Sequence, residues 1–439
     1  MYFGTDGIRG RVGEHPMTVD FALRLAGAAA RVLARAGGSV LIGKDTRLSG
    51  YMFEAALEAG FIAAGVNVLM MGPLPTPGIA YMTRKLGCSF GVVISASHNL
   101  YEDNGIKFFD ADGGKLSDEL EEQIEAQLAI EPRTRPSGEL GVARRVDTSR
   151  TQYQDFCRGT LPPGMSLAGM KIVVDCANGA AYKVAPRTLA DLGAEIVPIG
   201  SAPNGRNINV GCGSTAPELL QLTVPGVHAD AGIALDGDGD RLLMVDHLGR
   251  IVDGDQLLFV IACARHAEGT LKGPVVGTLM SNLGLEMALR QRGIAFERAA
   301  VGDRYVLARL RETGGVLGGE TSGHILCLDR TTTGDGLVSA LQVLAIMRQS
   351  NKSLAELAAG MTRLPQVLLN VKVAQRFDPL SVPAVRATMA SLEKRLGDQG
   401  RIVLRASGTE ALIRVMVEAV EESAARACAE ELAAAVRAA

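Results

Sequence analysis

The sequence predicts an α/β protein: three doubly wound α/β domains plus a smaller α+β domain at the C-terminal end, set around a central cleft. Three observations predict it. Short apolar, β-branched runs alternate with longer amphipathic stretches, that βαβ rhythm returns three times, and the pattern changes after Leu364-Pro365. In the first region, 39–42, 68–71 and 91–94 read as buried strands, with helices at 22–33 and 53–64 between them. The second repeats the scheme with strands at 171–174, Glu195–Ile199 and 232–235 and a helix at 182–192. In the third, strands at 275–279, 299–301 and 315–317 alternate with helices from Asn282 and after Asp303. Such units imply mainly parallel sheets covered by helices on both faces. The last region has strands at 367–373, 402–404 and 412–417, a helix near 385–396 and another from Glu421. Turn formers collect at 132–141 and 160–164, and Asp253-Gly254-Asp255 opens a new helix. The domains expected are therefore 1–150, 151–252, 253–365 and 366–439.

Bulk composition narrows the function. At roughly 150 residues per domain, a chain of 439 residues suits about three domains. Hydrophobic residues make up 47%, enough for a large core, and 45 basic side chains nearly balance 48 acidic ones. That balance argues against nucleic acid as a partner but allows a local basic pocket for a small anion. The opening residues lack the charged and apolar regions of a signal peptide, and no apolar run approaches the ~20 residues of a membrane span. The longest, 337–347, is broken by Ser339 and Gln342 and reads as a buried helix. Of the seven cysteines the two nearest in sequence are Cys157 and Cys176, so reduced thiols and a cytoplasmic location are expected.

Four segments that follow predicted strands carry candidate chemistry. Asp236-Gly237-Asp238-Gly239-Asp240-Arg241 follows an apolar strand, at the carboxyl end where open α/β sheets bind ligands. Carboxylates at alternate positions point to one side of an extended chain, and hard oxygen ligands suit magnesium. An EF-hand fails on spacing, with Arg241 at its sixth position and His247 at its twelfth; a solvated acidic turn is the bland alternative. Ser97, in Ser95-Ala96-Ser97-His98-Asn99, also ends a strand and can act as nucleophile or phosphate carrier. A polar turn capped by His98 and Asn99 is its alternative. In Arg405-Ala406-Ser407-Gly408-Thr409-Glu410 the arginine can fork onto a phosphate that a Ser-Gly-Thr turn closes around. Arg414 can add a second charge there, though a hairpin turn with a surface arginine fits too. Glu320 and Ser322 alternate after a strand and can face one sugar, with His324 in reach of a proton transfer; a capping glutamate in a glycine turn fits equally. Gly4–Gly10 and Lys44-Asp45-Thr46-Arg47 put cations near the first domain's loops, while Lys107 lies on an apolar stretch where it can also snorkel to solvent. No P-loop and no G-x-G-x-x-G occurs, which removes the phosphate loops of a kinase or a dehydrogenase.

Together and in this order, over essentially the whole chain, these segments resemble the α-D-phosphohexomutase superfamily. The resemblance implies three α/β domains and a fourth, smaller one around a deep cleft. It places the phosphoserine on Ser97, beside His98, and the magnesium ligands on Asp236, Asp238 and Asp240 with the serine phosphate. It places sugar binding on Glu320 and Ser322, and phosphate binding on Arg405, Ser407, Gly408 and Thr409, with Arg414 nearby. Arg9, Lys107, Arg241 and His324 fall on positions of proton transfer and phosphate contact. Phe3–Gly10, Asn207-Ile208-Asn209, Cys212-Gly213-Ser214-Thr215 and 301–306 are most similar to the bacterial phosphoglucosamine mutases. Ala216 and Leu100 depart from that subfamily's common histidine and proline. The activity implied interconverts glucosamine 6-phosphate and glucosamine 1-phosphate, with Mg2+ as cofactor and glucosamine 1,6-bisphosphate as intermediate and activator. The expected partner is a small phosphosugar, with neither nucleic acid nor membrane, and a homodimer is the candidate assembly. The alternatives are a phosphoglucomutase or phosphomannomutase, and, in another class, a catalytically silent phosphosugar-binding protein, which would have no need of Ser97.

Overall fold

Residues 2–4, 6–34, 37–375, 377–406 and 411–439 are described by the computed structural model. The unbroken apolar runs become central strands packed on both faces. In Ser39–Lys44, Val40 and Ile42 enter one core and Leu41 the opposite one, the alternation that a pleated strand imposes. Phe90–Ile94 divides the same way, with Phe90, Val92 and Ile94 on one face and Val93 on the other.

The strands form four sheets. The first runs Ile8–Arg11, Asp103–Phe109, Phe90–Ile94, Ser39–Lys44, Asn67–Pro73, Ala143–Arg145. Its last four strands are parallel, but Asp103–Phe109 returns antiparallel to Phe90–Ile94. The second sheet has a parallel centre of Lys171–Asp175 between Glu195–Ile199 and Ala231–Leu235, and Leu242–Asp246 returns antiparallel. The third pairs Val275–Thr278 in parallel with Phe296–Ala299 and Leu317–Gly319, and Ile325–Cys327 returns antiparallel. The fourth is antiparallel throughout, with Leu412–Ala419 between Gln366–Lys372 and Gly400–Ala406.

The sheets are thus more mixed than the periodicity predicts. The antiparallel return strands are short or carry polar residues such as Asn104 and Lys107, which hides their pattern. The strand expected at 299–301 ends earlier, at Ala299, because the chain turns toward Gly302 (φ +128°) to start the helix Asp303–Thr313. These returns matter for function. The serine, aspartate and glutamate segments are each a hairpin-type connection between two antiparallel strands, so each loop is anchored at both ends.

Helix starts follow local chemistry. Asp253 and Gln256 form a reciprocal capping box at Gly254–Ala267. The Asp335 carboxylate accepts from Val338 N at the head of Gly336–Ser350, the long buried helix expected from its apolar run. One apolar core runs from Leu41 through Leu235 and Leu317 to Met361, so the first three sheets share it. The C-terminal sheet keeps a core of its own, from Val367 to Val436. Among the described residues no helix is long and apolar enough to cross a membrane.

Candidate active site

The serine and aspartate loops meet edge to edge. Ser97 is 1% exposed, and its Oγ donates to Asp236 Oδ2 at 2.5 Å. Asp236, Asp238 and Asp240 are all buried, and one carboxylate oxygen from each lies within 4.8 Å of the others. They converge by a different route from the extended chain expected. The loop is a tight turn, in which Asp236 Oδ1 accepts from the backbone N–H groups of Gly239 (3.1 Å) and Arg241 (3.2 Å). Gly239 takes φ +73°, a conformation cheap only for glycine. Thr76 fastens the loop from the first domain, with Oγ1 2.7 Å from Asp238 Oδ2.

Three carboxylates this close strain one another. Burial, then Asp240 and Asp238, push the Asp236 carboxyl well above the usual carboxylate range. Burial also works against the Asp238 carboxylate, but Lys107 outweighs it and holds that group low. Lys107 is 3% exposed, so it does not snorkel. Its Nζ lies 2.8 Å from both Asp238 and Asp6 and 3.6 Å from Asp240. Burial opposes its charge, yet Asp238, Asp6 and Asp240 outweigh that and keep it an ammonium. The donor set fits a hard divalent cation on its own chemistry. Asp238 Oδ1 and Asp240 Oδ1 are buried without a hydrogen-bond partner among the described residues, and Ser97 Oγ sits at the edge of the group.

A cavity of about 420 Å³ adjoins this centre, lined by Arg9, Asp240, Arg241, Glu320 and His324 among others. His98, beside Ser97, has Nδ1 3.5 Å from the serine Oγ, and burial, then Arg241 and Arg9, lower its pKa to about 4. Its imidazole is therefore neutral at pH 7. Glu320 accepts from Gly302 N at 3.1 Å. The segment turns here, with Gly323 N donating to Glu320 O, so Glu320 and Ser322 are not alternate residues of a strand. Ser322 is exposed in that turn. A larger cavity of about 860 Å³, between 169–170, 225–230 and 347–356, touches none of these residues. Its wall carries Ser353, but that hydroxyl is committed to the capping box of Leu354–Ala358, and the carboxylate cluster adjoins the smaller cavity instead.

Sequence reasoning missed the wider charge network. Lys115 Nζ bridges Asp6 Oδ1 (2.6 Å) and Asp303 Oδ2 (2.5 Å), joining the first and third domains. Asp303 in turn lies 3.2 Å from His324 Nε2, and Arg304 pairs with Asp118 and Glu121 across the same gap. Asp6 lies in the Gly4–Gly10 segment and Asp303 in 301–306, but nothing in sequence spacing says that they meet. The cations of Lys44–Arg47 are spent internally instead of facing a ligand: Lys44 pairs with Glu54, and Arg47, fully buried, with Asp45.

In the C-terminal domain Arg405 is exposed and stands directly opposite Arg414 across two antiparallel strands. Facing like charges are unfavourable without an anion between them, and Arg414 Nε is buried with no partner among the described residues. Ser407, Gly408 and Thr409 lie outside the described residues.

Known proteins carry the same plan. Models of the phosphoglucomutase/phosphomannomutase alpha/beta/alpha domains I, II and III match residues 1–134, 163–249 and 253–364, and that of the C-terminal domain matches 368–435. The phosphoglucosamine mutase of Methylococcus capsulatus is 60% identical over 99% of this chain and 98% of its own length. That of Aeromonas hydrophila is 55% identical over 98% of each. Among solved structures, a phosphoglucomutase/phosphomannomutase family protein from Burkholderia thailandensis superposes with a TM-score of 0.83 at 25% identity, over 100% of this chain and 97% of that one. Aspergillus fumigatus N-acetylphosphoglucosamine mutase, in complex with GlcNAc-6P and magnesium, gives 0.71 at 21% identity over 100% and 96%, a likeness of fold.

Proposed function

The chain belongs to the phosphoglucomutase/phosphomannomutase family through all four of its domains, and from that premise we propose that it is a phosphoglucosamine mutase. It interconverts glucosamine 6-phosphate and glucosamine 1-phosphate. The observation that carries the reading is Ser97 Oγ, buried 2.5 Å from Asp236 at the edge of three convergent carboxylates. A binding protein has no use for that hydroxyl.

Ser97 carries a phosphoryl group. The free hydroxyl of the bound sugar attacks its phosphorus, the bond to Ser97 Oγ breaks, the sugar hydroxyl's proton passes to a neighbouring base, and the released Ser97 Oγ takes up a proton to become the hydroxyl that faces Asp236. His324, on the cavity wall, is the candidate for that base. The product is glucosamine 1,6-bisphosphate, which turns over in the cleft and returns its other phosphoryl group to Ser97 by the reverse steps. Asp236, Asp238 and Asp240 would hold Mg2+, which when bound spreads the charge of the transferring group. Arg9, Lys107 and Arg241 add fixed positive charge, and neutral His98 lies beside the serine. Glu320 and Ser322 contact the sugar, and Arg405 with Arg414 and residues Ser407, Gly408 and Thr409 holds the second phosphate in both orientations. The seven unpaired cysteines suit a reducing cytoplasm.

The test is a steady-state comparison of glucosamine, glucose and mannose phosphates, each with its bisphosphate. Glucosamine phosphate is expected to lead in kcat/KM by at least about tenfold, or ~1.4 kcal/mol of discrimination. A preference for another sugar transfers the enzyme to a neighbouring subfamily, and absence of turnover with all three overturns the proposal.

A further inference from the structure

Ser97 has φ +52°, the left-handed region that non-glycine residues seldom occupy. Something must hold it there, and its neighbours do. The Nδ2 amide of Asn209, in the second domain, donates to Ser97 O and to Asn99 O, both at 2.9 Å. Arg47 Nη2, in the first domain, donates to the same two carbonyl oxygens. On the other side of the residue, Ser97 N donates to Ser95 Oγ at 3.0 Å. We infer that Asn209 and Arg47 are positioning residues for phosphoryl transfer, a two-domain clamp that fixes the backbone of Ser97 so that its Oγ stays aimed at the carboxylate group; this rests on Ser97 being the phosphate carrier.

The surroundings show that the clamp is built for this task. Arg47 is 0% exposed and anchored by Asp45, so its guanidinium is fixed and out of a substrate's reach. Asn209 itself takes φ +60°, which asparagine tolerates better than most residues. Its Oδ1 is buried with no partner among the described residues, so the amide is used for its two N–H donors. On the aspartate loop, a Cβ at Gly237 would fall 2.6 Å from Ser97 O and 2.7 Å from Asn209 Nδ2, so glycine there lets that loop lie against the clamp. The serine is therefore aimed only when the first two domains are docked.

Asn209→Asp keeps the shape and the left-handed tolerance but replaces the donors with an oxygen facing two carbonyls. Asn209→Gly keeps the backbone and removes the donors. Both are expected to lower kcat by about 10²-fold, the scale of a small misplacement of a reacting group, with KM within about threefold of wild type. Arg47→Lys, with part of the donor set, should fall between them and wild type. Single-turnover transfer from bisphosphate-labelled enzyme to glucosamine 6-phosphate should slow equally in both Asn209 variants. Melting temperature is measured beside it, and only folded protein is counted. Wild-type transfer rates in folded Asn209→Gly, with Ser97→Ala inactive and unlabelled, would overturn the clamp and leave the mutase reading standing. An active Ser97→Ala would instead remove the reading on which the clamp depends.

Discussion

The serine–aspartate centre and the arginine pair of the C-terminal domain sit in differently built parts of the molecule. The first lies between sheets that share one apolar core, and its loops are tied across domains by Thr76 to Asp238 and by Lys107 to Asp238 and Asp6. The second lies on a three-stranded sheet with a separate core. That unit joins the rest through a small polar joint. Glu418 accepts from Asn282 Nδ2 (3.1 Å) and Leu283 N (3.1 Å), and Arg401 reaches the carbonyl oxygens of Leu279 and Ser281. Bond-making needs atoms fixed against each other, and shared packing supplies that. In the proposed mechanism the arginine pair holds the far phosphate of a sugar bound in two orientations, a task that needs charge more than exact placement and that suits a self-contained unit.

Substitutions at the two ends should therefore fail in different ways. Ser97→Ala should abolish turnover, on the order of 10⁴-fold or more, and remove phosphate from the intact mass. Ser95→Ala removes an acceptor for Ser97 N and a neighbour of Arg47 and Asp45 but no reacting atom, so it should cost far less; phosphate found at Ser95 in Ser97→Ala would reverse the assignment. Asp238→Asn takes a charge from the triad and from Lys107, so kcat should drop about 10²–10³-fold and the magnesium requirement should rise. An unchanged magnesium titration would separate this loop from the metal.

At the other end, Arg405→Ala should mainly raise KM, by about 1.5–3 kcal/mol, the worth of one charge-assisted hydrogen bond to phosphate. A fall in kcat alone would mean that this domain does more than bind. The smallest effect is expected at the joint. Asp255 Oδ2 accepts from Asn282 N and from Thr321 Oγ1, which connects the Glu320 loop to the C-terminal attachment. Burial pushes its pKa up to about 6. A folded pKa above the unfolded one means that the folded state binds the extra proton. Stability from this group is therefore full below about pH 4, falls as pH rises to about 6, and stays lost above it. Asp255→Asn keeps an acceptor oxygen without the charge. Denaturant melts should show it equal to or more stable than wild type at pH 7–8, by on the order of 1–3 kcal/mol, with the gain vanishing below about pH 4. A variant destabilised equally at all pH values would contradict the buried charge.

By itself the sequence determined the class of the fold and the chemistry on offer. Continuous apolar runs such as 91–94 declare strands buried on both faces, because burial and period act within a few residues. The aspartate repeat and the Ser-His-Asn segment name their donor atoms wherever they are placed. What only the tertiary structure decided is which distant atoms meet. The antiparallel returns, the convergence of the triad through a turn, the Lys115 bridge and the burial of Arg47 under the serine all depend on how the chain folds back on itself, in places over tens to hundreds of positions. Local propensity carries no information about such pairs. A charge read from the chain as free to bind substrate, as in Lys44–Arg47, is settled only when packing shows which opposite charge lies beside it.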